Sequence, residues 1–175
     1  MSWRVLLTQK IRNSASTTIS GIEYDPNSAS EKELKDRLKT SQEAEHQTRW
    51  QQETRGRATY EFFPTVKERQ EAPWIKPSYY VTQFLSGHGN FRAKLRKFSL
   101  VPSDLCRCGQ QDTSRHTFYE CPAFEEIRGR YRAETEELGI PWPISAKNSI
   151  TKTAIGATVR FIRKVLQVKE ELDRG

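Results

Sequence analysis

Three cysteines and one histidine fall within 16 consecutive positions of this 175-residue chain, in the order Cys106-Arg107-Cys108-Gly109, seven residues to His116 and four more to Cys121. Three soft thiolates and an imidazole make a complete tetrahedral set for one structural Zn2+, with no position left open for water. Gly109 suits the tight turn that must bring the first two sulfurs round one ion, and Ser114 is placed to cap a short helix carrying His116 towards Cys121. The first pair is C-x-C, a tighter gap than the usual two to four residues. Two other readings stay open. The thiols could be buried and free beside an incidental histidine, or one could be a nucleophile activated by His116 and oriented by Asp112, which would leave two cysteines unexplained. An odd number of cysteines fits a reducing, intracellular setting better than a secreted disulfide framework.

Just before this cluster lies a run of cations with no intervening acid: Arg92, Lys94, Arg96 and Lys97; Arg107 and Arg115 lie inside the cluster itself. The chain carries a formal charge of +7 and a pI near 9.4, which points to an anionic partner, nucleic acid being the commonest. These six side chains are the candidate phosphate contacts, giving salt-dependent affinity with little base preference. Tyr79, Tyr80 and His88 could stack on unpaired bases. The plainer reading is a solvated helix face, with His88, between Gly87 and Gly89, capping a turn. No acidic pair sits in an apolar setting of the kind two-metal nuclease or polymerase chemistry needs, so the chain on its own is expected not to be an enzyme.

The elements that must position these groups read as mainly α: a small, helical, zinc-stapled module with an extended N-terminal arm. Residues 1–29 form that loosely ordered arm. Residues 30–58 hold a solvated helix opening on the Ser30/Glu33 capping box. Residues 59–139 form the nucleic-acid-binding module, with the Cys/His cluster at 106–121. Within it, Tyr60 to Pro64 reads as a strand or an extended docking segment. Ser78 caps a helix through Leu85, and a basic helix follows with Phe91, Leu95 and Phe98 on one face. Pro122 opens a helix whose face carries Phe124, Ile127, Tyr131 and Leu138. Residues 140–175 are a connector and an amphipathic helix from about Ser149 to Leu172. Its apolar stripe is longer than so small a domain needs and could dock on a partner or a second copy. No apolar run is long enough to span a membrane.

Residues Trp50-Gln51, Gly56-Arg57-Ala58-Thr59-Tyr60-Glu61-Phe62-Phe63-Pro64, Gln83-Phe84-Leu85-Ser86-Gly87-His88-Gly89-Asn90-Phe91 and Cys106 through His116 to Cys121-Pro122-Ala123-Phe124 together resemble the C-terminal region of non-LTR (LINE-type) retrotransposon polyproteins of arthropod jockey-like and ribosomal-DNA-inserting kinds. The resemblance covers about residues 30–130. It implies that Cys106, Cys108, His116 and Cys121 ligate zinc as a CCHC knuckle with the one-residue gap. It also implies that the segment helps hold element RNA or target DNA beside the reverse transcriptase of a parent polyprotein, in the nucleus or cytoplasm. The polymerase's Tyr/Phe-Ala-Asp-Asp motif is absent from the sequence. A truncated element copy, a host gene derived from one, or a fragment acting only with the missing reverse transcriptase are the forms this implies.

Overall fold

The computed structural model describes residues 30–174, so the expected arm at 1–29 lies outside the described residues. The chain divides into two compact units, residues 1–45 and 46–175. The fold is mainly α, with no strand among the described residues beyond one isolated antiparallel bridge, Leu105 to Gln111. No helix among the described residues is long and apolar enough to cross a membrane.

Helix α1, Glu31–Gln52, begins on the expected capping box: the Glu33 amide donates to Ser30 Oγ at 3.3 Å and the Ser30 amide to Glu33 Oε2 at 3.2 Å. None of its 22 residues is buried. Past its end at Gln52, Gly56 turns the chain through φ +73° into the next helix, and its lack of a Cβ lets the Trp50 ring lie close against it. Arg57 finishes the helix from outside. Its guanidinium donates to the Trp50 carbonyl at 2.6 Å and the Gln51 carbonyl at 3.3 Å, over the Tyr60 ring at 4.2 Å from the centroid. Trp50 Nε1 donates to the Phe63 carbonyl at 2.9 Å.

The Tyr60 to Pro64 run is therefore neither a strand nor a docking segment. Arg57–Phe62 is helix α2, begun by the Tyr60 amide donating to the Gly56 carbonyl, and its last residue Phe62 and the following Phe63 are both buried. The division drawn at 58/59 falls inside this helix. Helix α3, Val66–Gln70, has its own capping box from Thr65 and Glu68. Helix α4, Tyr79–Ser86, is capped by Ser78 as its spacing predicts and stops at Gly87, φ +65°. The basic helix α5 is Arg92–Lys97.

Beyond the cysteine turn come a π-helical turn, His116–Glu120, a 3-10 turn, Pro122–Phe124, and α6, Glu125–Glu137. Pro122 thus opens a 3-10 turn rather than the α-helix itself. Helices α7, Ala146–Ser149, and α8, Ile155–Arg174, complete the chain. Phe118 lies at the centre of the core, edge-on to Phe84 at 5.0 Å and Phe91 at 6.0 Å and tilted against Phe161 at 6.1 Å. Tyr131 stacks on Phe161 at 4.3 Å.

Helix α8 packs on α4, α6 and the π-helical turn. Ala157, Thr158, Phe161, Ile162, Val165 and Leu166 are all buried. Its stripe is not surplus apolar surface: this chain's own core uses it, which removes the ground on which a partner or a second copy was expected there. Two further expected core positions face solvent. Leu138 lies past the end of α6 and Phe98 past the end of α5, where the chain turns away.

Candidate metal centre

The cysteine turn is a short hairpin. The Leu105–Gln111 bridge closes it, the Cys106 amide donates to the Gln110 carbonyl at 2.7 Å, and the Gly109 amide donates back to the Cys106 carbonyl at 2.9 Å. Gly109 sits at φ +86°, a conformation that disfavours a Cβ. This folding-back is what a one-residue gap between Cys106 and Cys108 needs if both sulfurs are to face one point.

His116 and Cys121 come from the other side. The cap of their turn is Thr113, not Ser114: the His116 amide donates to Thr113 Oγ1 at 3.0 Å. The Cys121 amide then donates to the His116 carbonyl at 2.7 Å, an i to i+5 bond. At ~3.6 residues per turn a plain α-helix would carry residue i+5 roughly 140° away from residue i. The wider π-helical turn brings the two ligands back to one side, and such turns are frequent at functional sites. Phe118, between them, anchors the turn in the core. Arg128, itself buried, donates to the Cys121 carbonyl at 2.6 Å and to Glu125 at 2.6 Å, fixing the backbone at the fourth ligand.

The result is one cluster. The ligand atoms of Cys106, Cys108, His116 and Cys121 lie within 4.8 Å of one another, close enough to hold a metal ion. Cys106 Sγ is 3.7 Å from Cys121 Sγ, and Cys108 Sγ is 3.2 Å from His116 Nε2. A tetrahedral ion with metal–sulfur bonds of about 2.3 Å sets its sulfurs about 3.8 Å apart, so the sulfur pair already has the edge of such a site. The donor set is soft throughout and closed, with no carboxylate among it. Burial pushes the Cys121 thiol up to about 12. Cys108, exposed at the turn, accepts from the Gln110 amide and is held below its ordinary value.

A buried ionic hub lies behind the turn. Asp112 is fully buried. Its Oδ1 accepts from the Thr117 hydroxyl at 2.9 Å, and its Oδ2 accepts from the Arg92 amide at 2.9 Å and from Lys169 Nζ at 2.7 Å. Lys169 also donates to Asp173 at 3.2 Å, which accepts from Asn90 at 3.2 Å. The cysteine turn, the start of α5, the π-helical turn and α8 thus share one network. Asp112 is engaged here rather than orienting His116 for nucleophilic chemistry. Sequence reasoning missed Lys169, though a signal was present: it stands three residues after Leu166 and four after Val165, on the buried face of α8, where a lone cation needs a partner.

The six expected phosphate contacts divide. Arg92 faces Asp173 at 3.8 Å and Arg115 pairs with Glu120 at 3.0 Å. Lys94 lies 5.7 Å from the Phe98 ring centroid. Arg96, Lys97 and Arg107 are exposed, and no ion pair involves them among the described residues. His88 is exposed, its Nδ1 2.9 Å from the Ser86 carbonyl, a turn-capping role. Tyr79 is exposed and edge-on to Tyr80, its hydroxyl 3.4 Å from Glu170. The glycine after His88 has a packing reason: a Cβ at Gly89 would lie 2.0 Å from Oε1 of the buried Gln83, which accepts from the Asn90 amide.

Over 84 residues, 47% of its length, the chain is 43% identical to the Retrovirus-related Pol polyprotein from type-1 retrotransposable element R1 4 of Nasonia vitripennis. Over 134 residues, 73% of its length, it is 26% identical to the R1 2 polyprotein of the same species, and over 83 residues it is 34% identical to the R1 polyprotein of Bradysia coprophila. These matches cover 21%, 32% and 8% of the respective relatives. No family model and no solved structure matches. The chain's relatives are Pol polyproteins of R1-type retrotransposable elements, of each of which it spans a minor part.

Proposed function

We propose that the chain is a non-catalytic, zinc-stapled nucleic-acid-binding module corresponding to the knuckle-bearing region of an R1-type Pol polyprotein. The observation that carries the reading is the closed set of Cys106, Cys108, His116 and Cys121, built by a hairpin and a π-helical turn next to the basic helix α5. A structural Zn2+ there ties the hairpin to the π-helical turn, segments otherwise joined through the bond of Thr117 to Asp112, and it supplies binding energy only to the folded chain. Its positive charge favours the thiolate of Cys121 against the burial that opposes it. Arg96, Lys97 and Arg107 lie open to solvent and suit phosphate neutralisation. Arg92 and Arg115 are partly neutralised by acids and contribute less.

RNA or single-stranded DNA fits this reading better than a protein partner through α8, whose apolar face is in the core. The test is zinc content per chain on protein purified without added metal, with titration of a labelled 15-nucleotide RNA and DNA at two salt concentrations. The expected result is one zinc and an affinity that falls steeply with salt. Absence of zinc, or affinity indifferent to salt, would overturn the proposal.

A further inference from the structure

Among the described residues, Ser99 is the one non-glycine residue with positive φ, at +56°. It stands where α5 ends. The Ser99 amide donates to the Arg96 carbonyl at 3.0 Å and the Leu100 amide to the Leu95 carbonyl at 3.1 Å, the two bonds of a Schellman turn. That turn normally takes glycine at the left-handed position, and its reward is usually an apolar contact between the residues in the places of Leu95 and Leu100. Here Leu100 is 68% exposed, and Phe98 beside it is 63% exposed. A turn in a sparsely populated conformation therefore closes the helix while the aromatic ring beside it stays out in water, and such conformations cluster at ligand-binding sites.

The surroundings of that ring select its partner. Lys94 Nζ is 5.7 Å from the ring centroid, and Arg96 and Lys97 are exposed on the same short helix, which carries no acid. An apolar protein surface docking on Phe98 would have to desolvate these cations. A single-stranded nucleic acid satisfies both parts, since an unpaired base stacks on the ring while its flanking phosphates meet the cations. A duplex offers phosphates and no free base face.

We infer that Phe98, held out by the Ser99 turn and flanked by Lys94, Arg96 and Lys97, is a base-stacking platform that gives this module its preference for single-stranded over duplex nucleic acid. The inference rests on the nucleic-acid reading above and sharpens it to one strand and one ring.

The experiment is a titration of the full zinc-loaded chain with a fluorescein-labelled 15-nucleotide oligo(U), oligo(dT) and a 15-base-pair duplex, for wild type, Phe98→Ala, Phe98→Leu and Phe98→Trp. Unchanged melting of each variant is the control, as expected for an exposed side chain. Phe98→Ala and Phe98→Leu should weaken single-strand binding roughly tenfold with the salt slope and the duplex affinity unchanged, and Phe98→Trp should bind at least as well as wild type. Equal single-strand binding by wild type and Phe98→Ala would overturn the stacking role and leave the cationic reading intact. Wild type that binds neither strand nor duplex would overturn both. Concentration-dependent self-association lost in Phe98→Ala, with oligonucleotide affinity unaltered, would assign the ring to a protein contact and overturn the inference.

Discussion

Helices α1 and α8 have nearly the same length, 22 and 20 residues, and opposite reasons to be helical. In α1 no residue is buried, and what holds it is a capping box, strong helix formers and i,i+4 pairs such as Lys35–Glu31 and Lys39–Glu43. In α8 seven residues are buried, one of them a lysine. The first helix can be written from local rules alone. The second owes its stability to what it touches, and through Lys169 it touches the cysteine turn. Only α8 is therefore coupled to the candidate metal centre.

That contrast breaks most visibly on chelation. Removing the metal should abolish amide protection across residues 104–121 and lower it at the end of α8 around Lys169, while residues 31–45 of α1 exchange as before; hydrogen exchange read by mass spectrometry checks this. Equal loss in both helices would dissolve the distinction. Next in size, Lys169→Ala leaves the Asp112 carboxylate buried without its cation and should cost roughly 3–5 kcal/mol in urea denaturation. Pairing Lys169→Met with Asp112→Leu should recover only part of this, because the Arg92 amide and the Thr117 hydroxyl then lose their acceptor.

A smaller effect is expected where α1 does meet packing. Trp50→Ala removes a half-buried ring and its bond to the Phe63 carbonyl, and a loss of about 2 kcal/mol is expected, below that of a fully buried aromatic. Least is expected of Glu31→Gln, with no measurable shift of the unfolding midpoint. The hydrogen bond from Lys35, with its charge, holds the Glu31 carboxyl below its ordinary value. Whatever the pair contributes is therefore present above the unfolded carboxylate range and lost as pH falls through the lowered value. Circular dichroism at neutral and acid pH reads it as slight fraying of α1.

The same contrast explains which features were legible in the sequence. Cys106, Cys108, His116 and Cys121 could be grouped because their spacing is local, and the mainly α fold followed from caps and periodicity at Ser30, Ser78 and along α8. Asp112 and Lys169 stand 57 positions apart, and no periodic pattern links them. Phe98 continues the apolar face of α5 by counting, but the chain leaves the helix at that residue, so counting placed it inside. Tyr60 to Pro64 has strand-forming residues, and tertiary contacts of Trp50, Arg57 and Phe84 decide for helix. The apolar stripe of α8 is plain in the sequence but what it packs against is not, since a single helix pattern does not reveal how much core the other helices leave open.

The wide turn between His116 and Cys121 makes the site unusually sensitive to reading-frame-preserving indels. Inserting one residue after the exposed Glu120 would put the fourth thiol at i+6 from His116, roughly 120° round an ordinary α-turn, swinging it out of the cluster while the helix itself persists. Such a lesion would leave far-ultraviolet dichroism nearly unaltered and zinc content near zero. In a copy that accumulates changes, the count of residues between those two ligands would thus fail silently, before any loss of helix announced it.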